Sequence, residues 1–288
     1  MNIIEMAINY CHLSISKMNI SEMIMKQIKY LLLILLIINF GSLSLLNAQN
    51  EKASLVIKGG ISIPTGVYSN SIGENASISR RSGFDFGNDV GLATLGPVFS
   101  IELTSPITKI KGLGWLFSGR LIINPTNSDD LQNYYQNTLK NTTRDTAVFS
   151  FDIGNWVHVP FMTGFSYGYN LFDDINVYAT IQGGIDISQQ PYRKVDAFFT
   201  RSKTTENIED TKFDVAVSYG LSASLEFEFF ENYNLSFNYL NLGVPSFTGK
   251  RTLNPKFFNG IFDITTNIAG DKRPVNMFLI SFGYKFNI

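Results

Sequence analysis

From residue 53 onward, apolar and polar residues alternate with a period of two rather than 3.6, the mark of extended strands lying between two unlike environments. The clearest run is 213–229. Phe213, Val215, Val217, Tyr219, Leu221, Leu225, Phe227 and Phe229 share one face, and Asp214, Ser218, Ser222, Ser224, Glu226 and Glu228 share the other. The same alternation recurs at 53–64, 90–104, 113–124, 151–169, 176–188, 233–242 and 275–288. Strands of soluble proteins usually run about five or six residues. All of these reach the roughly 9–11 residues that a membrane-crossing strand needs.

The connections alternate as well. Short ones fall at 105–112, 170–175 and 230–232, and long polar ones at 65–89, 125–150, 189–212 and 243–274. Short turns at one end and long loops at the other, around an even number of strands, describe an outer-membrane barrel. The expected fold is therefore all-β: an eight-stranded antiparallel up-and-down transmembrane β-barrel with both chain ends at the periplasmic rim. Its apolar faces meet lipid and its edges are closed. A lipocalin-like barrel or jelly roll would turn these aromatic faces into a cavity too small for them, leaving serine faces in water.

Composition fits that expectation. Charged residues make up 16% of the chain and aromatics 14%, with 24 phenylalanines and 13 tyrosines against two tryptophans. That is too apolar for a disordered chain. The net charge of −1 gives no basic surface for nucleic acid. The single cysteine, Cys11, excludes a disulfide framework and a cysteine-based metal site.

The amino terminus reads as an address. Lys26 and Lys29 precede an aliphatic run at 31–38, and Leu46-Asn47-Ala48 forms a small-residue cleavage site. This is a secretory signal peptide cleaved after Ala48, so 1–48 is expected to be a leader and 49–288 the barrel. As a helical anchor, 30–46 is short for a span of about 20 residues. Met25 heads a conventional leader and is the expected translation start, which leaves Cys11 and His12 upstream. No cysteine follows the cleavage site, so no lipid-anchored form is expected.

Three stretches resemble the PorT-like outer-membrane β-barrel family of Bacteroidetes-type bacteria. Asn155-Trp156-Val157-His158-Val159-Pro160-Phe161 is similar to that family's aromatic–x–(E)–I–P–L signature, with His158 where an acidic residue is common. Gly183-Gly184 matches its glycine-bearing strand, and Ile280-Ser281-Phe282-Gly283-Tyr284-Lys285-Phe286 its terminal G-Y-x-F strand. The resemblance covers roughly 53–288 and implies a fold and a location. A few members act in protein secretion and gliding, which does not transfer without specific residues.

Chemistry is sparse. His158 is the one histidine after the leader, and on its predicted strand it faces inward with Asp152 and Ser166. No nucleophile–base pair, zinc, phosphate-loop or dinucleotide motif appears, so neither catalysis nor a cofactor or metal is expected. The lumen says more. Lys285, Lys58, Glu102 and Arg120 face inward from consecutive strands of the closed wall, and Asp186, Asp214, Glu226 and Glu228 from the far side. An eight-stranded barrel is only wide enough for its own side chains, and opposite charges placed there should pair and block it. The candidate site is thus a lumen network of Lys58, Glu102, Arg120, His158, Asp186, Glu226 and Lys285.

The long loops read as solvated surface. One contains Asp129, Asp130, Tyr134 and Tyr135, and another Arg193, Lys194, Arg201, Lys203, Glu206, Glu209 and Asp210. Their alternative use is a docking surface, since loops on a rigid scaffold commonly carry function. The expected protein is a monomeric, non-enzymatic scaffold in the bacterial outer membrane, with lipid and envelope or secretion-complex proteins as partners. A narrow small-solute channel is the alternative, and an outer-membrane enzyme using His158 comes third.

Overall fold

The computed structural model describes residues 53–72, 77–79, 83–85, 90–107, 110–140, 147–172, 175–230, 232–254 and 264–288. The expected leader, its cleavage site and the expected start at Met25 lie outside them. In chain order the strands are β1 Ser54–Thr65, β2 Ser77–Ser79, β3 Gly83–Asp85, β4 Gly96–Pro106, β5 Leu113–Asn124, β6 Ala147–Ile153, β7 Trp156–Phe172 and β8 Ile175–Gln189. They continue with β9 Arg193–Phe199, β10 Thr204–Phe213, β11 Ala216–Phe229, β12 Tyr233–Asn241, β13 Ser246–Leu253, β14 Ile264–Lys272 and β15 Asn276–Asn287. One helix, α1 Ser128–Lys140, and one 3-10 turn, Gly66–Tyr68, complete the described elements.

Eight long strands close a barrel in the order β1-β15-β12-β11-β8-β7-β5-β4. Every neighbouring pair is antiparallel, and β1 seals the wall by pairing with β15 on one side and β4 on the other. Alternation drives this closure. Ile57, Ile61, Phe99, Ile101, Ile181, Val217, Leu221 and Phe282 lie exposed on the outside, while Lys58, Ser62, Ser100, Glu102, Arg120 and Gln182 are buried within. Ile181 is 73% exposed and Lys58 1%. Only a hydrocarbon solvent makes that distribution favourable, at about 25 cal/mol per Å² of apolar surface kept from water. Tyr167, Tyr169, Tyr233, Tyr284 and Phe286 ring the end that carries the short turns, as an interfacial aromatic girdle does. No described helix is long and apolar enough to cross a membrane; the crossing is made by strands. The chain is a transmembrane β-barrel of the bacterial outer-membrane type.

Above the barrel the described parts of the expected long polar loops are largely structured. Five strands form a second antiparallel sheet in the order β14-β13-β10-β9-β6. Each is joined in sequence to one barrel strand, and the order copies the wall strands β15-β12-β11-β8-β7 beneath. Barrel and lobe belong to one compact unit, residues 52–288. The predicted solvated loop at 189–212 is the hairpin β9–β10, and 125–150 contains α1 and β6. The helix starts where Asn127 Oδ1 accepts the Asp130 backbone N–H at 3.3 Å, with Asp129 and Asp130 in the first turn facing the positive end of the dipole. Leu131 of α1 packs with Phe149, Val195, Ala197 and Ile208, a water-excluding core under the sheet.

Three predicted strands change their bounds. The run 151–169 is two strands broken at Gly154-Asn155, and the run 213–229 is broken at Asp214-Val215. The strand predicted from residue 90 begins at Gly96. Asp152 and Asp214 therefore do not face the lumen. Asp152 accepts a hydrogen bond from the exposed Tyr192 hydroxyl at 2.9 Å, and Asp214 one from Thr248 at 2.7 Å.

Candidate functional site: a filled lumen with a stopper

The interior is built in tiers, each set by the register of facing strands. Nearest the short turns, Lys285 Nζ on β15 meets Glu228 on β11 at 2.8 Å, and Asn176 donates to the same carboxylate at 3.3 Å. Lys285 thus stands apart from Lys58, Glu102 and Arg120, the inward charges of the consecutive strands beside it.

The middle tier brings Lys58, Glu102, Arg120 and Glu226 into one cluster. Lys58 Nζ lies 2.6 Å from Glu102 and 2.9 Å from Glu226, and Arg120 lies 3.5 Å from Glu102. Two cations and two carboxylates cancel. Arg120 then spans the bore, donating to Gln182 at 2.8 Å, Ser222 at 3.3 Å and Asn238 at 3.4 Å on the opposite wall. Gln182 passes the contact on to Ser118 at 3.0 Å, and Asn234 donates to Glu226 at 3.1 Å. A buried charge without such partners would carry its whole desolvation cost, so the cluster is held as a unit.

The upper tier holds His158 and Asp186 separately from that cluster. His158 Nδ1 lies 3.1 Å from both Asp186 and Ser188, and Nε2 lies 3.0 Å from the Tyr68 hydroxyl. Ser166, expected beside His158, is buried on β7 at the level of Gly114 and Thr180. Ser188 and Asp186 meet the same ring nitrogen while Tyr68 occupies the other. The trio therefore lacks the serine–base–acid order of a hydrolase triad. No described group of histidine, cysteine, aspartate and glutamate could hold a metal.

Tyr68 is the residue that sequence reasoning missed. At the end of β1 the chain turns inward through Gly66, at φ +60°, and a single 3-10 turn drops the ring into the barrel mouth. There the side chain is 0% exposed, edge-on to Trp156 at 5.4 Å and to His158 at 5.5 Å. Its hydroxyl also reaches Asn124 Oδ1 at 3.2 Å. The backbone N–H groups of Gly91 and Ala93 pin the turn by donating to Val67 and Tyr68 carbonyls at 2.9 and 3.0 Å. Gly91 permits this approach, since a Cβ there would strike the Tyr68 carbonyl. Burial, reinforced by the Asp186 charge, pushes the Tyr68 phenol well up, so it keeps its proton. Pro64-Thr65-Gly66 marks a turn in the sequence, but nothing in it aims the next tyrosine inward.

The interior is also less polar than the alternation implied. Ile122, Met162, Leu240, Met277 and Leu279 point inward and join Tyr68, Trp156 and Phe247 in one buried cluster across the upper bore. Above Trp156 lies a cavity of about 30 Å³, lined by Val90, Leu131, Ile153, Gln190 and Arg273 among others, with room for one or two waters.

No family model matches the chain, and no curated protein matches it. Among solved structures it is similar to Ail, the attachment invasion locus protein of Yersinia pestis, at 10% identity and a TM-score of 0.35, covering 82% of this chain and 100% of that one. The outer membrane protein OprG from Pseudomonas aeruginosa aligns at 11% identity and 0.36, over 83% and 98% of the two chains. A major outer membrane protein from Thermus thermophilus aligns at 10% and 0.40, over 81% and 99%. At such scores the likeness carries no weight of its own; strand closure and the exposed apolar wall establish the barrel.

Proposed function

We propose that the protein is a closed, non-conducting and non-enzymatic stand that holds the five-stranded lobe at the cell surface for interaction with other proteins. The observation that carries this reading is the double closure of the bore. The Lys58–Glu102–Arg120–Glu226 cluster fills its middle, and Tyr68 with the inward apolar residues fills its upper part. The lobe supports it from the other side, because ordered strands replace what would otherwise be solvated loops. Export through a leader at 1–48 and a monomeric barrel belong to the same proposal. So do membership of the PorT-like group, on the motifs around Trp156, Gly184 and Tyr284, and partners from an envelope or secretion complex.

Purified protein in planar bilayers is expected to show no steady single-channel conductance. Tyr68→Ala should stay silent as well, because the ion cluster remains below it. Steady conductance from the unaltered protein would overturn the scaffold reading in favour of a small-solute channel.

A further inference from the structure

The lobe has two edges, and they are treated differently. Along β6, helix α1 packs close and buries Leu131 with Phe149. Along β14, no described strand pairs with the outer side. The wall strands on that side, β1 and β4, have no counterpart in the lobe sheet, and β1 turns inward to supply Tyr68. Among the described residues, alternate backbone N–H and C=O groups of β14 thus face no neighbouring strand.

Exposed edges are ordinarily guarded by lysine, proline or an inward charge. The run 264–268, Ile-Thr-Thr-Asn-Ile, has none of these, and Thr265 and Asn267 are exposed. A bulge ends the flat run, where the register with β13 shifts between Phe247 and Gly249 and Gly270 adopts φ +74°. The flat stretch is long enough for a short added strand.

Lysines outnumber acids on the outer face beside this edge: Lys212, Lys250 and Lys272 lie there, with Asp210 beside Lys212 and Asp214 hydrogen-bonded to Thr248 of β13. On the outer face of the sheet, Lys212 lies directly opposite Lys250, which lies opposite Asn267 of β14. Like charges set across a ladder repel. Lys212 has Asp210 at 3.6 Å, but among the described residues Lys250 and Lys272 form no ion pair, and both are exposed.

We propose that β14 accepts an extended segment of a partner protein as a sixth strand, and that this segment carries acidic side chains on the face shared with Lys250 and Lys272. Main-chain hydrogen bonds would supply the affinity and the lysines the choice of partner. The proposal rests on the scaffold reading of the lobe. A second copy in the same membrane presents its β14 running the same way along the membrane normal, which opposes antiparallel pairing.

The test uses the full chain in lipid nanodiscs with two ten-residue peptides, one alternating valine with glutamate and one alternating valine with lysine. Hydrogen exchange is followed at the amides of 264–268. The glutamate peptide should slow exchange at alternate amides at least tenfold, and the lysine peptide should not. Lys250→Glu, a surface change that leaves the barrel intact on heat-shift gels, should reverse that preference. The proposal is overturned if neither peptide protects β14, if both protect it equally, if protection falls on β6, or if two copies protect β14 without peptide. Conductance is not read in this experiment, so its failure and that of the scaffold reading are separate results.

Discussion

The lobe strands continue five of the wall strands in the same order, yet their apolar faces turn opposite ways. On β7, buried His158 and Met162 point inward, while odd-numbered Phe165 and Tyr167 lie exposed to lipid. On β6, a few residues earlier, the odd-numbered Phe149, Phe151 and Ile153 pack inward against the lobe core, and Asp152 is exposed. The switch recurs between β10, where Glu209 and Thr211 are buried, and β11, where Val217 and Tyr219 are exposed. It recurs again between β8, where Asp186 and Ser188 are buried, and β9, where Val195 and Ala197 are. Apolar alternation reports which residues avoid water. It does not report whether they escape into lipid or into protein, and a break of two or three residues between strands is enough to change the destination.

The ion cluster offers the largest contrast, because it ties opposite walls of the barrel together and the lobe has no part in it. Arg120→Ala leaves Lys58 alone against two buried carboxylates, Glu102 and Glu226, and should cost about 3–5 kcal/mol in unfolding free energy, measured by urea titration in vesicles. Loss of only a few tenths would mean that the tiers are not coupled. Next comes a matched pair on two exposed surfaces. Ile181→Arg on the wall should cost about 2–4 kcal/mol in a bilayer, depending on depth. Phe198→Arg on the outer face of the lobe should stay within about 0.5 kcal/mol. Equal costs would erase the distinction between the two solvents. The smallest effect separates adjacent glycines of β8. A Cβ on Gly184 would collide with the Phe161 carbonyl, so Gly184→Ala should cost about 1–3 kcal/mol. Gly183 points outward with Leu221 and the Gly220 carbonyl at ordinary contact distance, and Gly183→Ala should be near neutral by the same titration.

Much of the barrel was legible because lipid imposes a strict period of two on every crossing strand. The middle tier was legible for the same reason: Lys58, Glu102, Arg120 and Glu226 all occupy inward positions, and a bore this narrow leaves opposite charges no alternative to pairing. Lys285 was placed on the correct face, but its partner depended on height along the bore, which alternation does not encode. The lobe was hidden by its continuity with the wall. Phe151 through Tyr169 and Phe213 through Phe229 keep one apolar phase across their breaks, so each reads as a single strand. The helix carried a short signal, Asn127 ahead of Asp129 and Asp130, lost in an asparagine-rich stretch. Tyr68 had none, since its burial depends on a loop entering a mouth that exists only after the barrel closes.

The reversal at Gly154-Asn155 is the account's central claim, and it can be read directly. No cysteine follows Cys11, so single cysteines can be placed from 149 to 167 and labelled with nitroxide in bilayers. Accessibility to lipid-soluble oxygen should be low at 149, 151 and 153 and high at 165 and 167, while 158 and 162 stay shielded from both oxygen and a water-soluble relaxant. High oxygen accessibility at every odd position from 149 to 167 would mean one uninterrupted membrane strand and would contradict the account.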